Sequence, residues 1–177
     1  MATRTRVARL KAIAAALLVG GSLAASTPAV AQSKAAELRQ QIVGDWTLVE
    51  VVLEQDGKRQ EPFGANPKGF MTYSVGGRFS YVLLRSDLPK IASNNRTDTT
   101  PEESKAVAAG VLAAYGTYVV EDAEGMLLSR IDAGTFPNWN GTQQKRQITI
   151  QGDELRVVNP TPPRGGGTAY LVWKRAS

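Results

Sequence analysis

Eight short runs of apolar, β-branched and aromatic residues, each ended by a turn or a modest loop, recur along the chain between Trp46 and Lys174. They occupy 46–53, 69–75, 79–84, 115–121, 126–131, 142–150, 154–158 and 168–174. Runs of this length suit strands and are short for helices. In the third, Phe79, Tyr81 and Leu83 alternate with Ser80, Val82 and Leu84, the side-chain period of a strand. Asp56-Gly57, Gly76-Gly77 and Gly152-Asp153 supply the positive-φ chemistry of tight hairpins. Neighbouring strands joined this way form an antiparallel meander. About eight of them can close into an up-and-down barrel, which removes both exposed edges and leaves room for one small ligand. The fold expected is therefore mainly β, with a two-sheet sandwich as the alternative.

Helical signals are few. Ser33 to Ile42 is polar with Leu38 and Ile42 four apart, which suits a short helix closing onto an apolar surface and ending at Gly44. Thr100-Pro101-Glu102-Glu103 starts a second helix, inserted into the barrel. Thr caps it, Pro fits the first turn, and the acids favour its positive end. Its expected extent is Glu102 to about Ala114, with Val107, Val111 and Leu112 as the apolar stripe.

The first thirty-one residues differ from the rest. Arg4, Arg6, Arg9 and Lys11 form a basic stretch, and no acidic residue precedes Glu37. An Ala/Leu/Val-rich segment from Ala12 to Ala25 follows, shorter than the ~20 residues of a spanning helix. Ala29-Val30-Ala31 then places small residues before Gln32. This order predicts a signal peptide over 1–31, cut after Ala31, and a mature domain of 32–177 in the periplasm or outside the cell, with no stable membrane insertion. Removing 1–31 lowers the net charge from +5 to +1, since 17 basic residues then face 16 acidic ones. The basic balance thus belongs to the leader and does not point to nucleic acid.

Cysteine and histidine are both absent. That excludes disulfides, thiolate nucleophiles, Ser-His-Asp catalysis and His- or Cys-ligated metals. No Asp-rich calcium loop occurs either, so no metal and no cofactor are expected.

Gly44-Asp45-Trp46 resembles the G-x-W that opens the first strand of lipocalins. The likeness extends through Asn66-Pro67-Lys68-Gly69-Phe70-Met71-Thr72-Tyr73, Gly77-Arg78-Phe79-Ser80 and Thr100-Pro101-Glu102-Glu103. It continues in Tyr115-Gly116-Thr117-Tyr118, Phe136-Pro137-Asn138-Trp139-Asn140-Gly141-Thr142 and Leu171-Val172-Trp173-Lys174. Over about residues 42–175 the chain resembles the lipocalin-like domain family of bacteria and fungi. That resemblance implies a calyx-like barrel whose first-strand Trp46 plugs one end. It also implies a basic residue of the last strand, Lys174 or Arg175, packed on the Trp46 ring. It carries fold and not activity.

Candidate ligand contacts come from strand residues with an apolar body and a polar tip. Tyr73, Tyr81 and Tyr118 can orient a small molecule or simply bond a nearby carbonyl. Leu83 shares a strand face with Phe79 and Tyr81, and Trp139 lies in an aromatic loop. Arg85, Arg130 and Arg146 sit in or at the ends of strands among apolar neighbours. If Ile148 and Ile150 point inward, Arg146 does too, and an inward Arg with tyrosines suits a carboxylate or other anion; the alternative is a surface Arg. The function expected is small-molecule binding, for a hydrophobic or amphipathic ligand held inside the barrel. Two alternatives stand beside it. One is a His-free lyase or isomerase using a carboxylate such as Glu50 or Asp132, or a Tyr, as base. The other is an envelope interaction protein with a filled barrel.

Overall fold

The computed structural model describes residues 28–177. Residues 1–27, most of the expected leader, lie outside the described residues. The elements in chain order are α1 (Pro28–Ile42), β1 (Gly44–Gln55), β2 (Lys58–Gln60), β3 (Lys68–Tyr73), β4 (Arg78–Leu84) and α2 (Pro101–Gly110). They continue with β5 (Val111–Val120), β6 (Met126–Gly134), a 3-10 turn (Pro137–Trp139), β7 (Gln143–Gln151), β8 (Glu154–Asn159) and β9 (Thr168–Arg175).

Strands β3 to β9 form a meander, each antiparallel to the next, and β1 pairs with β3 on one edge and β9 on the other. Eight strands therefore close a barrel. The short β2 is a ninth strand that folds back on the far end of β1, from Leu53↔Gln60 to Gln55↔Lys58. Closure pairs both edges that an open sheet would leave exposed.

Two irregularities set which side chains face inward. In β1, alternation places Trp46 and Leu48 inside, but the register to β9 shifts between Leu48 and Glu50. This bulge leaves Val49 outside and transfers the inner set to Val51 and Leu53. In β5–β6 the register shifts between Tyr115 and Gly116, leaving Asp132 unmatched. There the Arg130 carbonyl comes so close that a Cβ on Gly116 would sit 1.9 Å from it, so only glycine fits.

The second helix is shorter than the sequence implies. It starts as expected, with a Thr100–Glu103 capping box, but stops at Gly110. Val111 to Ala114 instead pair with Leu84 to Tyr81 as the first residues of β5, because the ladder of β4 is there to complete. Val107, expected from sequence in the apolar stripe of this helix, is exposed.

One end of the barrel is closed. Trp46 is fully buried and its indole N–H donates to the Ile42 carbonyl at 2.9 Å. Of the two basic residues considered for its ring, Arg175 is the one in place, 4.3 Å from the centroid. Its guanidinium also donates to the carbonyls of Val43 (3.1 Å) and Gln41 (2.7 Å), which satisfies the end of α1 and opposes the negative pole of that helix. Leu38 and Ile42 of α1 join the core cluster beneath.

Candidate ligand-binding site

At the opposite end four connections converge: the β2–β3 and β6–β7 loops, the segment carrying α2, and the Pro/Gly-rich β8–β9 loop. They surround a chamber of about 320 Å³ with a largely apolar wall, including Phe63, Phe136 and Pro162. Arg164 straps this mouth. Its guanidinium lies 5.4 Å from the Phe63 centroid and donates to the Ala109 carbonyl at 2.6 Å, joining the β8–β9 loop to α2. The turn that presents it continues through Gly165, Gly166 and Gly167, all at positive φ, as a glycine-rich turn allows.

A second chamber of about 80 Å³ lies further toward the closed end, among Tyr73, Phe79, Leu127 and Trp173. The two chambers share Leu83, Leu112, Asn159 and Leu171 in their walls, so they adjoin along the barrel axis. The inner one presents Tyr73, Tyr81, Ser129, Gln144 and Arg146, the outer one Thr135 and Arg164, and Asn159 borders both.

Alternation explains the placement of Arg146. Ile148 is buried in the core, and two residues earlier the same inner face of β7 presents Arg146. The partly buried guanidinium lies 5.6 Å from the Trp139 centroid. It donates to the Lys145 carbonyl at 2.8 Å and to the Gln144 side-chain oxygen at 3.2 Å. Burial lowers its pKa, while Tyr81 and Tyr73 act in the opposite direction. The tyrosines respond to the same enclosure. Burial pushes the Tyr81 phenol up to about 12 and raises Tyr73 still further, with Arg146 opposing both. Both therefore stay protonated, and able to donate, across the neutral range.

Of the eight residues singled out from sequence, Tyr73, Tyr81, Leu83, Trp139 and Arg146 line the inner chamber. Three are elsewhere. Tyr118 is buried nearer the closed end, edge-on to Tyr73 at 4.7 Å, and its hydroxyl donates to the Ser74 carbonyl at 2.9 Å. Arg130 points outward, because Leu127, Ser129 and Ile131 take the inner face of β6. Arg85 follows the last residue of β4 and turns aside to a two-point pair with Asp87 at 2.6 and 2.9 Å. Sequence reasoning missed Ser129, Gln144 and Trp173. Period-2 extension from Ile131, Arg146 and Leu171 would have found all three. The mouth residues Phe63 and Arg164 carry no such signal, since only the folded loops bring them together.

The carboxylates considered as bases are not in either chamber. Glu50 pairs with Arg59 at 2.7 Å and Asp132 with Arg78 at 3.1 Å, both on the outer surface. A buried phenol whose pKa is raised is a poor base near neutrality. Among the described residues no cluster of three acidic side chains could hold a metal ion, and no helix is long and apolar enough to cross a membrane.

Chain path and cavity define a calyx, capped by a helix at one end and opening at the other onto a chamber of small-ligand size. Residues 43–176 match the lipocalin-like domain, and the chain belongs to that family. The 4'-hydroxy-3'-methoxypropiophenone carrier protein ppsC of Aspergillus oryzae is similar to it, 27% identical over 105 residues that span 54% of this chain and 95% of that protein. A crystal structure of a lipocalin-like protein from Bacteroides uniformis aligns with 76% of this chain and 98% of its own, at 14% identity and a TM-score of 0.41.

Proposed function

We propose that this chain is an exported small-molecule binding protein whose barrel holds a hydrophobic or amphipathic compound. The observation that carries the reading is the pair of adjoining chambers. The outer one, about 320 Å³, reaches the ~300 Å³ at which ligand pockets begin. A filled barrel offers no such space. An apolar wall with a few convergent polar groups is the usual make-up of a small-molecule site. The similar protein of Aspergillus oryzae bears the name of a carrier for a small aromatic ketone, which fits an aromatic-lined calyx. Export rests on the basic, then apolar, then small-residue order of the first thirty-one residues.

Native mass spectrometry of the purified protein tests the binding role, together with displacement of the dye anilinonaphthalene sulfonate. A releasable apolar or amphipathic compound, or saturable dye binding competed by apolar molecules, is the expected result. Ala108 lies on α2 facing the outer chamber, and Ala108→Trp should fill it and weaken binding at least tenfold without loss of fold. A protein that purifies empty and binds no apolar probe would overturn the reading. N-terminal sequencing of exported material tests the leader, with Gln32 expected first.

A further inference from the structure

The inner chamber holds a charge that the protein itself leaves unbalanced. Most of the other arginines of the barrel have an evident partner. Arg59, Arg78, Arg85 and Arg156 pair with carboxylates at 3.1 Å or closer. Arg175 is spent on Trp46 and two helix carbonyls, and Arg164 on Phe63 and a third carbonyl. Arg146 is partly buried, yet among the described residues no carboxylate lies within ion-pair distance of it. Its acceptors are a neighbouring carbonyl and a neutral amide, which leave part of its five-donor fork free.

A second observation points into the same chamber independently. Trp173 is 1% exposed and lines the chamber, and its indole Nε1 is a buried donor with no acceptor among the described residues. Indole nitrogen can only donate, and a buried donor without an acceptor is rare and costly. The Tyr73 and Tyr81 hydroxyls, protonated at neutral pH, take part in none of the hydrogen bonds among the described residues and border the same space. The chamber therefore gathers donors and one positive charge, with hydroxyl and amide oxygens beside them but no carboxylate in its wall.

We propose that the inner chamber is an anion subsite taking the carboxylate of a small amphipathic acid, whose apolar body lies in the outer chamber. The proposal rests on the reading of the barrel as a ligand carrier and specifies the ligand's chemistry and its head-inward orientation. Size fits: about 80 Å³ admits two or three water-sized groups, as a carboxylate requires. Charge fits as well. One guanidinium balances one negative charge, and the remaining wall, with Leu127, Ile131 and Val157, would penalise a doubly charged phosphate. The planar fork of Arg146 matches the two oxygens of a carboxylate.

Three probes with one apolar body separate the possibilities: phenylbutyrate, phenylbutanol and phenylbutylamine, titrated against the purified protein by tryptophan fluorescence. The acid is expected to bind roughly tenfold tighter than the alcohol, and the amine most weakly. Arg146→Met should bring the acid to the alcohol's affinity and leave the alcohol unchanged, which also reports an intact fold. Arg146→Gln gives the same comparison if the Met variant disturbs the barrel. Trp173→Phe should weaken the acid alone, and Arg164→Met at the mouth should leave the preference intact. Equal binding of acid and alcohol to the parent protein overturns the anion subsite and leaves the carrier reading standing. So does a preference that survives loss of the Arg146 charge, or one that vanishes with Arg164. Failure of all three probes to bind overturns the anion subsite, and the carrier reading falls with it only if the protein also purifies empty and binds no dye.

Discussion

Replacing Arg175 with Met should unfasten the closed end of the barrel, and the structure sets the size of the effect. The guanidinium stands 4.3 Å from the Trp46 centroid at a partly desolvated site, a contact contributing about 1–2 kcal/mol. Its charge-assisted bonds add about 1 kcal/mol at the Val43 carbonyl, which is part-buried, and about 0.5 kcal/mol at the Gln41 carbonyl, which is exposed. The contact with Asp153, at 3.7 Å and largely exposed, adds little. The expected loss is about 2.5–3.5 kcal/mol, a large share of the ~5–15 kcal/mol typical of a domain. Denaturant unfolding followed by tryptophan fluorescence measures it, with a shifted midpoint and an unchanged slope. Arg175→Lys keeps the charge but not the fork, and should recover about half. A double-mutant cycle with Trp46→Phe should give a coupling near 1 kcal/mol. A loss below about 0.5 kcal/mol for Arg175→Met, or full recovery with Lys, would refute the account of Arg175 as a two-sided clamp.

Three other perturbations follow from the geometry. Gly116→Ala places a methyl against the Arg130 carbonyl and should cost about 2 kcal/mol or more; an unchanged melting temperature would show that the β5–β6 bulge relaxes freely. Thr100→Ala removes half of the capping box and should cost about 1 kcal/mol, read from the same denaturation curve. Alkaline pH should destabilise the fold through Tyr81, whose folded value of about 12 exceeds its ordinary 10.0. The unfolded chain releases that proton first, so the contribution is complete below pH 10.0 and is lost as pH climbs toward 12. Ultraviolet titration of the phenols checks this. Tyr81→Phe should remove the late-titrating component, and simultaneous ionisation of all five tyrosines at an ordinary value would contradict the burial argument.

Strand order, the hairpins and the inward face of β4 were readable from alternation, because each depends on neighbours in the chain. The same rule put Arg146 on the inner face if Ile148 was core, with a surface position as the alternative, and barrel closure is what brings it beside Tyr73 and Tyr81. It failed where the backbone is irregular. Nothing in Leu48-Val49-Glu50 announces the bulge that moves the inner face to Val51 and Leu53, and nothing in the apolar run Val111–Ala114 separates helix from strand. Gly110 was the available stop signal there, and strand pairing with β4 decided the outcome. Arg85 shows a different limit. Its parity is that of the inner face, but the strand ends before it and a close aspartate redirects the side chain. The mouth was illegible because its wall comes from four connections far apart in sequence, whose meeting depends on barrel closure.

The seam between β1 and β9 has a consequence for the order in which this chain can fold. Every other barrel ladder joins strands consecutive around the meander, whereas the seam bonds Arg175 to Val43, 132 residues away. Such a contact is entropically late and cannot form until almost the whole chain is available. Until then β1 and β8 each present a bare edge, and Trp46 lacks its clamp. The last eight-residue strand therefore acts as a completion switch. A chain ending before Thr168 should remain open and prone to associate, while the full chain passes to a sealed barrel in a single late step.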